Sequence, residues 1–280
     1  MLNWWYNLID FILPFEWSRH VFMKDALLAI LLVMPVFGML GTMVVSNRMA
    51  FFSDSLGHGA FTGIAIGAAL GGIKPIWAAT IFSIIFAIAI TFFKNKSRAS
   101  TDTVIGVFSS TAIALGLVIM SYGGQFKKFQ SYLVGDLLSV SNSDILMLCI
   151  VFVLVILLWL IIFNKLLVVS INQSLAKSRG MNTLMIEVLF TISIAVVVTI
   201  SIQWVGLLII NSMLVLPAAA ARNVTVNVRR YHFISIVTAL VSGVSGLIVS
   251  FYLNTVTGAT IVLFSAVFFF ITFSMRRRFI

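Results

Sequence analysis

Charge is what this chain has least of. Only 9% of its 280 residues are charged, with eight Asp and Glu together against 18 Lys and Arg. With 61% hydrophobic residues and a mean hydropathy of +1.15, the composition excludes a soluble globular protein and indicates an all-α polytopic membrane protein. No stretch is long and polar enough to form a separate domain, so residues 1–280 read as one membrane domain. The single cysteine, Cys149, lies inside an apolar run, which excludes an internal disulfide. There is no G-x-x-x-x-G-K-[ST] element, so nucleotide binding through a P-loop is excluded. H-E-x-x-H, G-x-S-x-G and any cysteine–histidine constellation are also missing, which leaves a catalytic reading little to stand on. The opening MLNWWYNLIDFIL carries Asp10 and lacks a basic start, unlike a cleavable signal peptide.

The net charge of +10 raises nucleic acid as a partner, but its distribution argues against that. The basic residues sit in short loops between apolar runs, as expected of a chain in a lipid bilayer. Full spans are expected at 26–46, 50–72, 75–93, 103–122, 143–163, 184–202, 232–252 and 259–275. The apolar piece 204–217 is too short for an ordinary span and reads as a half-helix or tilted crossing ended by Pro217. The prediction is therefore eight full transmembrane helices and one short one. Residues 1–15, rich in Trp4, Trp5, Tyr6 and Phe11, suit an interfacial segment. Loops are expected at 123–142 and 164–183, the second with a short helix ending at Gly180. With the C-terminus inside, 13 basic residues fall on the cytoplasmic side and five outside, which puts the N-terminus outside.

Residues 48–72 hold the most informative pattern. Asp54 and His58 stand four apart, one above the other on a helical face. A carboxylate inside a span costs about 2.5–3.5 kcal/mol, so it should face protein or a water-filled path. Carboxylate plus imidazole suits zinc, manganese or iron(II). The same spacing also fits an interhelical hydrogen-bonded pair, or a histidine satisfied by its neighbour. Two ligands make an incomplete shell, to be filled by water, other helices or a second subunit. Beside the pair runs a row of glycines, Gly59, Gly63, Gly67 and Gly71, at the spacing that lets another helix approach closely.

After Pro217, four alanines and an arginine form a strong helix-former run. A short cytoplasmic helix of this kind fits a partner's groove or a plain connector equally. Asp102 and Glu187 lie at helix starts, where capping or dipole stabilisation accounts for them. His20 and His232 sit at span edges, as interfacial histidines do.

Four stretches together carry a resemblance: GTMVVSNRMAFFSDSLGHGAFTGIAIG (41–67), DTVIGVFSSTAIALGLV (102–118), VGLLIINSMLVLPAAAARNV (205–224) and TGATIVLF (257–264). The chain resembles the permease subunits of bacterial ABC importers for divalent metals, the ABC-3 family. The resemblance implies a metal path through Asp54 and His58, with Zn2+ or Mn2+ as cargo and no cofactor bound by this chain. It also implies a coupling segment at Leu216, Pro217, Ala218, Ala219, Ala220, Ala221 and Arg222, within a cytoplasmic loop 216–230. The partners implied are a second permease copy, a cytoplasmic ATP-binding subunit that uses the ATP, and an extracellular solute-binding protein. Two departures stand out: Ser53, Gly57 and Gly59 alter the family's usual G-D-x-L-S-H-A, and Asn254 and Thr257 replace an aspartate and a proline. Rival readings are a permease for chelated metal, of siderophore or cobalamin type, a proton-driven secondary transporter, and an intramembrane enzyme.

Overall fold

The computed structural model describes residues 2–13, 15–71, 74–122 and 131–276, and these are helical with short connections. The expected Lys127 and Lys128 of the 123–142 loop, and Arg277 and Arg278, lie outside the described residues.

A short helix, α1 (Asn3–Ile12), precedes α2 (Val21–Ser46). Helices α3 (Phe52–Leu70), α4 (Pro75–Lys96) and α5 (Thr101–Tyr122) follow. A four-residue turn, α6 (Ser131–Val134), leads to α7 (Asn142–Ile171) and the small α8 (Gln173–Ser178). The chain closes with α9 (Thr183–Val205), α10 (Leu207–Arg222), α11 (Val228–Leu253) and α12 (Thr257–Met275). Seven of the described helices are long and apolar enough to cross a membrane. The 19-residue α3 is long enough at about 1.5 Å per residue, though Asp54 and His58 dilute its hydropathy. The 16-residue α10 is the short ninth.

Several boundaries differ from expectation, each for a physical reason. Helix α2 starts at Val21, so Lys24 and Asp25 lie inside it. Their polar groups are satisfied by α1: Lys24 Nζ stands 2.6 Å from Asp10 Oδ1, and the Tyr6 hydroxyl donates to Asp25 Oδ1 at 2.8 Å. The expected loop at 164–183 is helical as far as Ile171, because Leu166 and Val169 continue the buried face. The short helix before Gly180 is α8.

Pro217 does not stop its helix. It lies within α10, and Ala218, Ala220 and Ala221 just beyond it are fully buried. Dense packing on both sides of a proline outweighs the one hydrogen bond its ring removes.

The largest buried cluster runs through α2, α9 and α10, around Phe37, Leu40, Ile194, Val198, Ile210 and Leu214. Helices α2 and α9 are mostly buried, whereas only a minority of α5, α7 and α12 is. The large side chains exposed along α7 and α12 are apolar, as with Leu160, Ile161, Leu263 and Phe270, which is the surface hydrocarbon requires. At one end of the bundle the backbones of Gly135 and Gly206 touch. Both have positive φ, 75° and 88°, and a side chain on either would strike the other segment. This contact seats the 131–141 connection over the α9–α10 corner, where Leu137 and Val140 are buried.

Candidate functional site

Helix α3 is packed on most of its circumference. Against α4 it presents glycines: a Cβ on Gly63 would lie 2.5 Å from Ala79 Cα, and one on Gly67 2.7 Å from Ala78 Cβ. Gly59 lies against the ring of Phe86, 2.8 Å from where its Cβ would be. Gly71 differs from the rest of the row. It caps the helix at φ 64°, and among the described residues nothing lies within 4 Å of where a Cβ would stand, so it ends α3 instead of packing it.

On another face Thr62 Oγ1 donates to Ala112 O of α5 at 2.5 Å, beside Gly116, which leaves room for the crossing. On a third, Gly57 faces Leu207 and Ile210 of α10, and the Ser53 hydroxyl donates to Asn211 Oδ1. Asp54 and His58 occupy the strip left between the α10 and α5 faces, one helical turn apart.

There the pair is open. His58 Nε2 lies 3.5 Å from Asp54 Oδ2, and the side chains are 20% and 40% exposed. That separation is loose for a charge-assisted hydrogen bond, whose usual length is about 2.7–2.9 Å. Asp54 also lies in the first turn of α3, where the helix dipole favours negative charge. Among the described residues no group of three or more His, Cys, Asp or Glu gathers to hold a metal ion. The two donors therefore offer a carboxylate and an imidazole, and the remaining positions of any ion's shell are open to water or another chain.

Comparison with known proteins decides the family. Residues 19–276 match the profile of the ABC 3 transport family. The chain belongs to that family. The "Manganese transport system membrane protein MntC" of Listeria innocua is 31% identical to this ABC 3 chain over 255 residues, 91% of each. The "High-affinity zinc uptake system membrane protein ZnuB" of Buchnera aphidicola is 32% identical over 249 residues, 88% of this chain and 94% of the relative. Among solved structures, PsaBC from Streptococcus pneumoniae in complex with Fab superposes with a TM-score of 0.79 at 29% identity, covering 95% of this chain and 94% of that one.

The other segment singled out in this ABC 3 chain, Leu216 to Arg222, is the last part of α10. Ala218 packs with Ala221 and Tyr231. Pro217 and Ala220 are buried, Leu216 and Ala219 are half-buried, and Arg222 is exposed with its guanidinium 5.5 Å from the Tyr231 ring centre. The free surface at this end comes later, at Val226, Asn227, Arg229 and Arg230.

Glu187 does not cap its helix; Asn182 does, accepting from Met185 N at 3.0 Å. Glu187 instead bridges to α4, 3.0 Å from Lys94 Nζ and 2.8 Å from Asn95 Nδ2. Ser100 caps α5 by accepting from Thr103 N at 3.1 Å, leaving Asp102 exposed in the first turn. His232 is part-buried rather than interfacial, 2.8 Å from Thr42 Oγ1 and edge-on to Phe163. His20 precedes α2 and stacks on Phe22.

Sequence reasoning missed the supports of the pair. Thr62 falls four residues after His58 on the same row, and Asn211 breaks an apolar run, so both carried a signal. Thr62's partner, the Ala112 carbonyl on α5, carried none.

Proposed function

We propose that this chain is the membrane permease of an ATP-driven importer of divalent metal ions, zinc or manganese. The observation that carries the reading is the open carboxylate–imidazole pair on a helix otherwise packed on three faces. Burying glycines against α4 while leaving two metal-type donors uncovered fits a path, because a transport site must release as well as bind. The manganese and zinc systems for which its relatives are named support that cargo.

In this reading a second copy of the permease faces the Asp54–His58 strip and, with water, completes the ion's shell. The chain is a transport subunit without catalysis of its own. Lacking a P-loop, it takes its energy from a cytoplasmic ATP-binding subunit. That subunit docks at the end of the bundle holding Arg222, Val226, Arg229 and Arg230, with the alanines of α10 as a rigid backing. This end is cytoplasmic with the C-terminus, the N-terminus is outside, and an extracellular solute-binding protein delivers metal to the opposite face. The excess of basic residues on the C-terminal side supports the orientation.

The test is elemental. In cells lacking the gene and grown in metal-poor medium, total zinc or manganese falls, the wild-type gene restores it, and His58→Ala does not. Unchanged zinc, manganese and iron in the deletion would overturn the reading and turn attention to chelated metal, then to proton-driven transport.

A further inference from the structure

Beyond the ion path, the bundle has a groove of about 720 Å³ on its lipid-facing side, within the range of about 300–1,000 Å³ that ligand sites occupy. Helices α4 and α7 both pack on α9, and the groove lies between them. Its floor is Val196 and Ile200 of α9. One wall is the row Leu146, Ile150 and Leu154 of α7, three side chains at four-residue spacing, each more than half exposed. The facing wall is Trp77 of α4, half exposed.

The charged groups of the groove lie at its mouth, where α4 and α7 begin and α9 ends. Lys74 stands there, exposed and in no ion pair among the described residues. No side-chain cap closes the first turn of α4, so the positive end of that helix opens to the same place. Asp144, also at the mouth, is engaged otherwise: its Oδ2 accepts from Ser141 N at 3.0 Å and from the Ser141 hydroxyl at 2.6 Å, capping α7. Asp144 keeps its charge but its Oδ2 is taken by Ser141, so the groups at the mouth left free to meet a phosphate are Lys74 and the first turn of α4.

An apolar trough that ends in an unpaired lysine at the edge of a membrane span has the polarity of a phospholipid turned inside out. We propose that the groove binds an anionic phospholipid, its acyl chain along Trp77, Leu146, Ile150 and Leu154 and its phosphate at Lys74. The lipid comes from the leaflet on the Lys74 side, which the orientation given above makes the outer one. The proposal depends on the chain spanning a membrane and not on which substrate it carries.

The experiment uses the full-length chain purified in mild detergent and exchanged into nanodiscs of phosphatidylglycerol or phosphatidylethanolamine, with retained lipid counted by native mass spectrometry. Wild type is expected to retain phosphatidylglycerol in preference to phosphatidylethanolamine. Lys74→Gln should lower phosphatidylglycerol retention about fivefold, the factor expected for one lysine near an anionic surface, and leave phosphatidylethanolamine unchanged. Ile150→Trp, which fills the trough, should displace both lipids. Leu160→Trp, at a 71% exposed position further along α7, serves as the control for a bulky lipid-facing change and should displace neither. Equal retention of phosphatidylglycerol by wild type, Lys74→Gln and Ile150→Trp would overturn the site. Loss in Ile150→Trp without any effect of Lys74→Gln would overturn its anionic specificity.

Discussion

Two acid–base pairs in the N-terminal part of this chain are built differently. Asp10 and Lys24 meet at 2.6 Å across two helices, with the lysine side chain only 6% exposed. The Trp5 indole donates to Lys24 O at 3.0 Å and Tyr6 holds Asp25, so α1 is fastened to α2 at several points. Asp54 and His58 share one helix, stand 3.5 Å apart, and have a more exposed basic partner than Lys24. The first pair is saturated: its charges are committed to each other, and removing one strands the other. The second is held in place by its helix and not by mutual attraction, so its lone pairs remain available. A buried lysine with a close partner marks a structural pair; the looser pair is the one proposed above to meet an ion in transit.

The largest effect that would test this contrast is on transport. Asp54→Asn is expected to cut uptake of radioactive manganese or zinc by at least about tenfold, the lower end for disturbing groups around a metal. Its amount in the membrane and its melting temperature in detergent should match wild type, because the close packing of α3 runs through its glycines, Ser53 and Thr62 and not through that carboxylate. Normal uptake by a well-expressed Asp54→Asn chain would remove the metal-path assignment.

Asp10→Asn should do the reverse. It leaves Lys24 buried without its partner, and the loss of stability is expected to be on the order of 1–2 kcal/mol, below that of a fully buried pair because Asp10 itself is half in water. Thermal denaturation should register that loss while uptake per molecule stays near wild type. A collapse of uptake without a change in melting would make the two pairs alike and break the comparison.

The smallest effect is one of pH. Burial, with Asp25 beside the phenol, pushes the Tyr6 hydroxyl up to about 12. A group whose proton is held more tightly when folded adds stability below its ordinary value, near 10, and loses it as the pH rises through the folded value. The α1–α2 contact should therefore be intact at neutral pH and loosen between about pH 10 and 12. Trp5 fluorescence would follow the transition, and Tyr6→Phe, which has no proton to lose, should abolish that step.

Much of the fold was legible in the chain because lipid imposes length. Runs of about twenty apolar residues had to be helices, and basic loops had to lie between them. The candidate pair was legible too, since four-residue spacing places two side chains on one face whatever surrounds the helix. The errors arose where packing overrode a local rule. Pro217 reads as a helix end until the buried alanines beyond it are seen, and Lys24 reads as a loop residue until Asp10 comes to meet it. Gly71 continued a packing row on paper, but by that point α3 has ended.

Composition and spacing alone determined that this chain is an all-α membrane protein and that Asp54 and His58 share a helical strip. These follow from the bilayer's thickness and the helix's 3.6-residue turn, which hold before any two helices meet. Only the tertiary structure decided that Glu187 pairs with Lys94, that Gly135 meets Gly206, and that α4 and α7 spread to form a groove. Contacts between residues distant in sequence depend on which helices become neighbours, and that choice is made by the shape of the whole bundle.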